Sequence, residues 1–297
     1  MKEVAIGLLT DFGLDDTYVG VMKAVIAGLA PKARTIDLTH TLPAGDIRLG
    51  AFKLWQSAAF FPPDSVLVAV VDPGVGTARR AVAAAWDHLT VVAPDNGLLT
   101  YFLAESPPRL AVAITNQAYQ RPRPSSTFHG RDVFAPAAAH LARGLRLEKL
   151  GPPIRDLVQF AWPRLELLEG PRVRGELLHH DRFGNWTTSL GRLSEVDGDL
   201  ELQPWLPSCS PARLPLFSRL RALLPTGLQL PLQRTFADVP PGTVLAYIGS
   251  DGLLEIAVNR GSAAAALPLQ PGQEILLTYE GRSPRGPEPA GRRPGRG

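Results

Sequence analysis

The 297-residue sequence predicts an α/β domain followed by a smaller all-β domain. Through about residue 160, short apolar runs alternate with longer segments whose apolar residues recur at the helical period. This alternation is typical of a largely parallel sheet with flanking helices. From about residue 170, short strand-like runs are separated by Gly, Asp and Pro, which is typical of a β domain with a barrel-like form. We therefore expect an N-terminal α/β domain at 1–163 and a C-terminal β domain at 170–281.

The elements of the N-terminal domain follow from its apolar runs in chain order. The predicted strands are VAIGLLT, ARTIDLT, SVLVAVVD, LTVVAPDN and LAVAIT, and the predicted helices are TYVGVMKAVIAGLAP, DIRLGAFKLWQSAAFFP, GLLTYFLAE and GRDVFAPAAAHLARG. The stretch WPRLELLEGP at 162–171 is the expected junction between the domains. Beyond it, RVRGELLHHDRFGNWTTSL, TVLAYIGSDGLLEIAVN and GQEILLTYEG carry the predicted strands of the β domain.

Composition excludes several classes of protein. Cys209 is the only cysteine, so an intramolecular disulfide and a CxxC site are excluded. The formal charge of +3 comes from residues 282–297, whose Pro/Gly/Arg composition predicts a disordered tail, and the nearly neutral remainder makes nucleic acid an unlikely partner. No apolar run approaches the ~20 residues of a membrane span. The N-terminal apolar run is too short for a signal peptide, so we expect a cytoplasmic protein.

Polar side chains follow three of the predicted parallel strands. Asp11, Asp72 with Arg79, and Asn96 lie in these loops, and His129 precedes a predicted helix. Each has a structural alternative, because Asp72 can begin a turn, Asp11 can cap a helix, and a lone histidine is more often structural than catalytic. Ligands of α/β domains bind beyond the carboxyl ends of the strands, however, so these loops are expected to surround one crevice.

A carboxylate, a guanidinium and an imidazole in one crevice can hold and orient a water molecule. Either Asp72 or His129 would then accept its proton, and the residues alone leave the choice open. The sequence contains no HExxH, no GxxxxGK[ST], no GxSxG and no complete GxGxxG between a strand and a helix. The sequence therefore disfavours metalloprotease, nucleoside-triphosphatase and serine-hydrolase functions.

Seven motifs occur in the order found in one enzyme family. They are LLTDFGLDDTYVGVMKAVI, VVDPGVGTARR, VAPDNGLLT, STFHGRDVFAPAAAHLA, HDRFGNWTTS, TFAD and NRGSAA. Over residues 4–282 the chain resembles the S-adenosylmethionine hydroxide adenosyltransferase family, also called adenosine-forming S-adenosylmethionine hydrolases, which are related to fluorinases and chlorinases. The resemblance implies that water attacks C5′ of S-adenosylmethionine and releases adenosine and L-methionine. It implies no metal and no cofactor.

The resemblance also implies roles for individual residues. The water-binding catalytic triad corresponds to Asp72, Arg79 and His129, with Arg80 the less favoured alternative to Arg79. The implied substrate-binding residues are Asp11 at the ribose hydroxyls, Asp16 and Asp181 near the methionine moiety, Asn185 with Asn259, Arg260 and Ser262 in the adenine region, Phe236 against the adenine ring, and Ser250 at the position of a methionine-carboxylate contact.

Several positions depart from the related halogenases. Those enzymes carry tyrosine at the positions of Asp72 and His129 and serine at that of Gly130, so the departures favour water over halide. Gly45 stands where a halogenase tryptophan packs near the ribose. Asp251 stands where they have an arginine, and a carboxylate cannot bind the methionine carboxylate there, so that partner is undefined.

The resemblance further implies a homotrimer with active sites at the subunit interface. S-adenosylmethionine and the product adenosine are the expected small-molecule partners, and no membrane partner is expected. Two other functions stay open at this point, a nucleoside or S-adenosylmethionine binding protein with incidental turnover and a halogenase. The complete triad favours the hydrolase, because pure binding needs no group that holds water.

Overall fold

The computed structural model describes residues 3–170, 172–214 and 216–279. Two compact units divide in sequence between Trp162 and Pro163, within the expected junction. The tail at 282–297 lies outside the described residues. No helix in the described part of the chain is long and apolar enough to cross a membrane.

The first unit alternates strands and helices, as its sequence predicts. Its strands are β1 (Ala5–Thr10), β2 (Arg34–Thr39), β3 (Ser65–Val70), β4 (Ala81–Ala85), β5 (Leu89–Pro94), β6 (Leu110–Ala113) and β7 (Pro153–Ile154). Its α-helices are α1 (Tyr18–Leu29), α2 (Ile47–Ala58), α3 (Thr100–Glu105) and α4 (Ala135–Ala142), and a π-helical segment, Gly130–Phe134, leads directly into α4.

These strands form one mixed sheet in the order β2-β1-β3-β5-β4-β6-β7. β1 pairs in parallel with β2 and β3, and β3 pairs in parallel with β5. β4 runs antiparallel between β5 and β6. The predicted α/β fold with a parallel-rich sheet is confirmed, although β4 and β7 were not among the predicted strands. Because β1, β3 and β5 are adjacent and parallel, the loops that follow them lie at one edge of the sheet.

The core of this unit packs helices against the sheet. Ile6 and Leu8 of β1 belong to one buried apolar cluster together with Met22 of α1 and Phe134, which precedes α4. β3 is buried along its whole length, as expected of a central parallel strand. Gly50 of α2 lies against Val71, where an added Cβ would approach the valine side chain to 3.0 Å. The rigid end of β3 therefore fixes the start of the loop that carries Asp72.

The second unit is built mainly from β-strands. Its strands are β8 (Leu165–Leu168), β9 (Arg172–His180), β10 (Trp186–Thr188), β11 (Leu193–Val196), β12 (Asp199–Leu202), β13 (Ala212–Leu214), β14 (Leu220–Leu223), β15 (Gln229–Gln233), β16 (Val244–Ile248), β17 (Leu254–Val258) and β18 (Glu274–Tyr279). A short helix, α5 (Ala263–Ala266), follows β17.

The larger sheet of this unit closes on itself. Its order is β10-β17-β16-β15-β14-β18-β9-β8, and a further pairing joins β10 to β9. β11, β12 and β13 form a separate antiparallel sheet. The predicted barrel-like form is confirmed. Closure leaves the loops at the barrel ends, such as those after β9 and β17, as places where side chains meet.

Candidate active site

Three predicted catalytic side chains are in direct contact in the first unit. Arg79 donates from Nε to Oδ1 of Asp72 at 2.9 Å, and its Nη2 donates to Oδ2. The same Nη2 lies 2.7 Å from Nδ1 of His129. The side chains of Asp72 and Arg79 are only 5% and 10% exposed. The guanidinium therefore joins a carboxylate on one side to an imidazole on the other.

The loop after β3 is folded so that Arg79 returns to Asp72. The amide of Val75 donates to the carbonyl of Asp72 at 3.1 Å, which begins a tight turn. Gly76 has φ +79°, and an added Cβ would lie 2.5 Å from the carbonyl oxygen of Ser126. Only glycine permits this backbone angle together with so close an approach. The loop thus packs directly on the segment that leads to His129.

Arg80 belongs to a different ion-pair network from Arg79. Its Nε donates to Asp95 at 2.7 Å, and its Nη1 donates to Asp156 at 2.7 Å. The two neighbouring arginines therefore have different carboxylate partners. Of the two candidate arginines, Arg79 is the one that contacts Asp72 and His129.

The contact with Arg79 determines the state of the His129 ring. A guanidinium has donors and no acceptor, so Nδ1 of His129 must accept this hydrogen bond. Neutral His129 then carries its proton on Nε2. Burial, and next the positive charge of Arg79, lower the pKa of His129 below its usual value, while Asp72 and Asp132 oppose the shift. His129 is thus a neutral side chain that can donate a hydrogen bond from Nε2.

A cavity of about 170 Å³ lies beside the triad. Its walls combine apolar rings with the carboxylate and the imidazole, and the lining residues are Phe12, Tyr18, Val70, Asp72, Val75, Thr127, Phe128, His129 and Gly130. The rings of Phe12, Tyr18 and Phe128 pack with centroids 5.1–5.9 Å apart. Sequence reasoning missed this aromatic wall, whose members come from two separate segments.

No group of three or more His, Cys, Asp or Glu in the described residues is arranged to hold a metal ion.

Asp11 lies in the loop after β1, at the same edge of the sheet. Its Oδ2 accepts a hydrogen bond from the amide of Gly45 at 2.8 Å. Among the described residues, no hydrogen bond reaches its Oδ1. Gly45 has φ +75°, so a glycine suits the turn that aims this amide at the carboxylate. Asp16 lies exposed in the same loop, and no side-chain hydrogen bond joins it to another described residue.

In the second unit, Asp181 and Asn185 form one turn after β9. Oδ1 of Asp181 accepts from the amides of Phe183 and Asn185 at 2.9 and 2.8 Å, and Oδ2 accepts from Nδ2 of Asn185 at 3.2 Å. Both oxygens of Asp181 are therefore used to shape the turn. Phe183 at the tip of this turn, which is not among the predicted site residues, is 71% exposed.

This turn packs against the loop after β17, which carries Asn259, Arg260 and Ser262. An added Cβ at Gly184, where φ is +84°, would lie 2.0 Å from Oγ of Ser262. The amide of Ala264 also donates to the carbonyl of Gly184 at 2.9 Å. The structure thus brings Asn185 and Ser262 into the same end of the barrel.

Phe236 packs on Tyr247 with ring centroids 4.8 Å apart. Tyr247 donates its hydroxyl to Glu255, its cross-strand partner. Burial, and then the hydrogen bond to Glu255, raise the pKa of Tyr247, with a contribution from the charge of Asp181. Sequence reasoning missed this pair, and the signal that could have found it is the alternation within the hairpin TVLAYIGSDGLLEIAV.

Among the remaining predicted residues, Asn259 and Ser262 bind the backbone, and Arg260 and Ser250 are exposed. Asn259 donates from Nδ2 to the carbonyl of Val239 at 2.7 Å, which fastens the segment after Phe236 to the end of β17. Arg260 is exposed with φ +56°. Ser262 accepts from the amide of Ala265 at 3.2 Å and caps α5. Ser250 is exposed in the turn between β16 and β17.

Comparisons with known proteins match both units. Residues 6–151 match the SAM hydroxide adenosyltransferase N-terminal domain, and residues 175–276 match the corresponding C-terminal domain. The chain is 46% identical over 281 residues to a protein of Thermus thermophilus named (R)-S-adenosyl-L-methionine hydrolase, across 91% of this chain and 97% of that protein. It is 29% identical over 302 residues to a fluorinase of Actinoplanes sp., across 92% and 97%. The crystal structure of an uncharacterized conserved protein from Thermotoga maritima superposes with a TM-score of 0.79 at 35% identity, covering 92% of this chain and 100% of that one.

Proposed function

Because this chain belongs to the SAM hydroxide adenosyltransferase family, as the matches over both domains show, we propose that it hydrolyses S-adenosyl-L-methionine to adenosine and L-methionine. The family resemblance drawn from the motifs is confirmed. The observation that carries the proposed activity is the contact of Arg79 with both Asp72 and His129 beside a cavity, in a chain 46% identical to a named hydrolase. The relative's name specifies the (R) form of the substrate, and we assign the same form here.

The reaction needs little chemical assistance beyond a placed nucleophile. Water attacks C5′, an O–C5′ bond forms, and the C5′–S bond breaks with its electron pair passing to sulfur. Methionine leaves as a neutral thioether because the sulfonium is already an activated leaving group. The protein must hold the water in line with the C–S bond and accept its proton.

The contacts of the triad favour Asp72 as the proton acceptor. The lone pair of His129 Nδ1 is already used by Arg79, and Nε2 carries the ring proton. His129 therefore offers a donor that orients the water oxygen. The carboxylate of Asp72 has four acceptor positions, of which Arg79 uses two. We therefore propose Asp72 as the proton acceptor, a choice between these two residues that the sequence leaves open.

The cavity is better suited to water than to halide. A halide ion would meet the negative carboxylate of Asp72 instead of hydroxyl donors. A serine at Gly130 would also need space, since an added Cβ there would lie 3.1 Å from Sδ of Met22 and 3.2 Å from the rings of Phe12 and Phe128. Added chloride or fluoride should therefore yield no 5′-halo nucleoside.

The substrate-binding roles are proposals that rest on the positions described above. Oδ1 of Asp11 is available for the ribose hydroxyls, because only Oδ2 is held by Gly45. Asn185, Ser262 and Phe236 contact adenine in this proposal, with Asn259 and Arg260 shaping that loop. Asp181 acts mainly by shaping the turn of Asn185. Asp16 and Ser250 are exposed and would face the methionine moiety.

A binding protein with incidental turnover is less well supported, because binding alone gives no reason for a guanidinium that contacts both a carboxylate and an imidazole beside a cavity. The homotrimer with interfacial active sites and the cytoplasmic location stay predictions. Light scattering on the purified chain would measure the oligomeric state.

The activity itself is tested by chromatography. Purified protein incubated with S-adenosyl-L-methionine should release adenosine and methionine in equal amounts. Asp87→Asn is a matched control for Asp72→Asn, because Asp87 is 87% exposed in the β4–β5 hairpin at the opposite edge of the sheet. Absence of adenosine with the wild-type and Asp87→Asn proteins would contradict the proposed activity.

A further inference from the structure

The loop that carries Asp11 is held by the loop that follows β2. The amide of Gly13 donates to the carbonyl oxygen of His40 at 2.7 Å. The amide of Gly45 donates to Oδ2 of Asp11 at 2.8 Å. Two hydrogen bonds from separate points of the second loop therefore bracket the chain between Asp11 and Gly13.

A buried polar pair lies directly beneath this loop. Oγ1 of Thr10 shares a hydrogen bond of 2.9 Å with Nδ1 of His40. The same hydroxyl oxygen accepts from the amide of Phe12 at 3.3 Å. Thr10 is 0% exposed and His40 is 3% exposed. Burying a polar pair is costly unless its members bind each other, so the two side chains fix one another's position.

The His40 ring is also anchored from the protein surface. Its Nε2 lies 3.0 Å from Oδ1 of Asp37. Oδ2 of Asp37 accepts from Nζ of Lys23 at 2.5 Å. Asp37 and Lys23 are 43% and 35% exposed, so this outer pair adds little energy by itself. The two nitrogens of the His40 ring therefore lie close to polar groups of β1 and of β2.

We propose that Thr10 and His40 are positioning residues for substrate binding, which hold the backbone on either side of Asp11 so that its Oδ1 faces the ribose hydroxyls. This inference rests on the proposed role of Asp11. Neither residue touches the substrate. Their effect is transmitted through two hydrogen bonds. The amide of Phe12 donates to Thr10, and the amide of Gly13 donates to the carbonyl of His40. A small displacement of a binding group is sufficient to weaken its contact strongly.

If Thr10 and His40 only stabilised the core, their loss would not selectively weaken the binding of ligands that carry ribose hydroxyls. The two cases differ in one measurable quantity, the ratio of affinities for adenosine and 2′,3′-dideoxyadenosine. The second ligand lacks both hydroxyls and does not report on Asp11. Wild-type protein should favour adenosine by about tenfold or more, and Asp11→Ala should abolish this preference.

Thr10→Val removes the hydroxyl with little change in volume, and Thr10→Ser retains it. Thr100→Val is the matched control, since Thr100 is 0% exposed in the same unit and its hydroxyl likewise donates to one group and accepts from another. Calorimetry should show that Thr10→Val binds adenosine about tenfold more weakly and dideoxyadenosine within about twofold of wild type. Thr10→Ser and Thr100→Val should keep the full preference. His40→Gln should reproduce the effect of Thr10→Val, and it replaces Thr10→Val in the test if that variant does not fold.

The inference is overturned if Thr10→Val and His40→Gln keep the wild-type preference for adenosine, or if they weaken both ligands equally. It is also overturned if Thr100→Val loses the preference to the same extent. Loss of the preference in wild-type protein, or its survival in Asp11→Ala, would instead contradict the proposed role of Asp11. The two failures are therefore distinguishable.

Discussion

Nη2 of Arg79 donates a hydrogen bond to Nδ1 of His129 across 2.7 Å. This relationship places the only ring proton of neutral His129 on Nε2, because a guanidinium cannot accept. Protonation of Nδ1 would set two donors against each other and break the contact. The catalytic arrangement therefore requires His129 to be neutral.

The rate of hydrolysis should depend on this protonation. Burial and the charge of Arg79 lower the pKa of His129 from its usual 6.5, so the neutral ring persists below that pH. kcat/KM should therefore fall on the acid side only as pH drops through the lowered pKa, with the midpoint of that fall below pH 6.5. The folded-state pKa lies below the unfolded value, so the contribution of His129 to stability is present above pH 6.5 and is lost as pH falls from there. An acid limb centred above pH 6.5 would contradict the neutral assignment.

Asp72→Asn should lower kcat by on the order of 10²-fold, because the proton acceptor is lost. Substrate affinity should change much less, since the amide keeps the volume of the carboxylate. Stopped assays over a range of substrate concentrations separate the two quantities, and circular dichroism checks the fold. A variant with wild-type kcat would remove Asp72 from the role of base.

Arg79→Gln and Arg80→Gln form a matched pair of neighbouring substitutions. Arg79→Gln should lower kcat by about 10²-fold or more, because it removes the donors that hold Asp72 and His129 together. Arg80→Gln should leave kcat within about threefold but lower the melting temperature, since it strands the carboxylate of Asp95, which is 3% exposed. The opposite pattern of kcat values would assign the triad to Arg80.

Much of this arrangement could be predicted from local patterns. The apolar runs that become β1 and β3 end directly before Asp11 and Asp72, so strand periodicity placed both carboxylates at one edge of the sheet. β4 was missed because its sequence, AVAAA, has little strand propensity, and only its long-range pairing with β5 and β6 makes it a strand. That strand begins immediately after Arg80.

Other relationships carry no local signal at all. Thr10 and His40 are 30 residues apart, and their contact depends on the pairing of β1 with β2. The sequence also could not show that both oxygens of Asp181 are used within its own turn. Hydrogen-bond partners of this kind depend on the exact path of the backbone, which spacing alone does not determine.

Gly184→Ala should weaken adenosine binding by forcing the turn of Asn185 away from Ser262. Gly227→Ala is the control, because both glycines have φ +84° but an added Cβ at Gly227 meets nothing within 4 Å. Both variants should lose about 1 kcal/mol of stability from the unfavourable backbone angle. Only Gly184→Ala should lose adenosine affinity, by about tenfold or more, as measured by calorimetry. Equal affinities in the two variants would remove this turn from the adenine site.

The origin of the 5′-oxygen of adenosine distinguishes attack by water at C5′ from attack by halide. The protein is incubated with S-adenosyl-L-methionine in ¹⁸O-water with chloride present, and the products are analysed by mass spectrometry. If water held by Asp72, Arg79 and His129 attacks C5′, adenosine should carry one heavy oxygen and methionine none. Adenosine without the heavy oxygen, or 5′-chloro-5′-deoxyadenosine as the main product, would contradict attack by water.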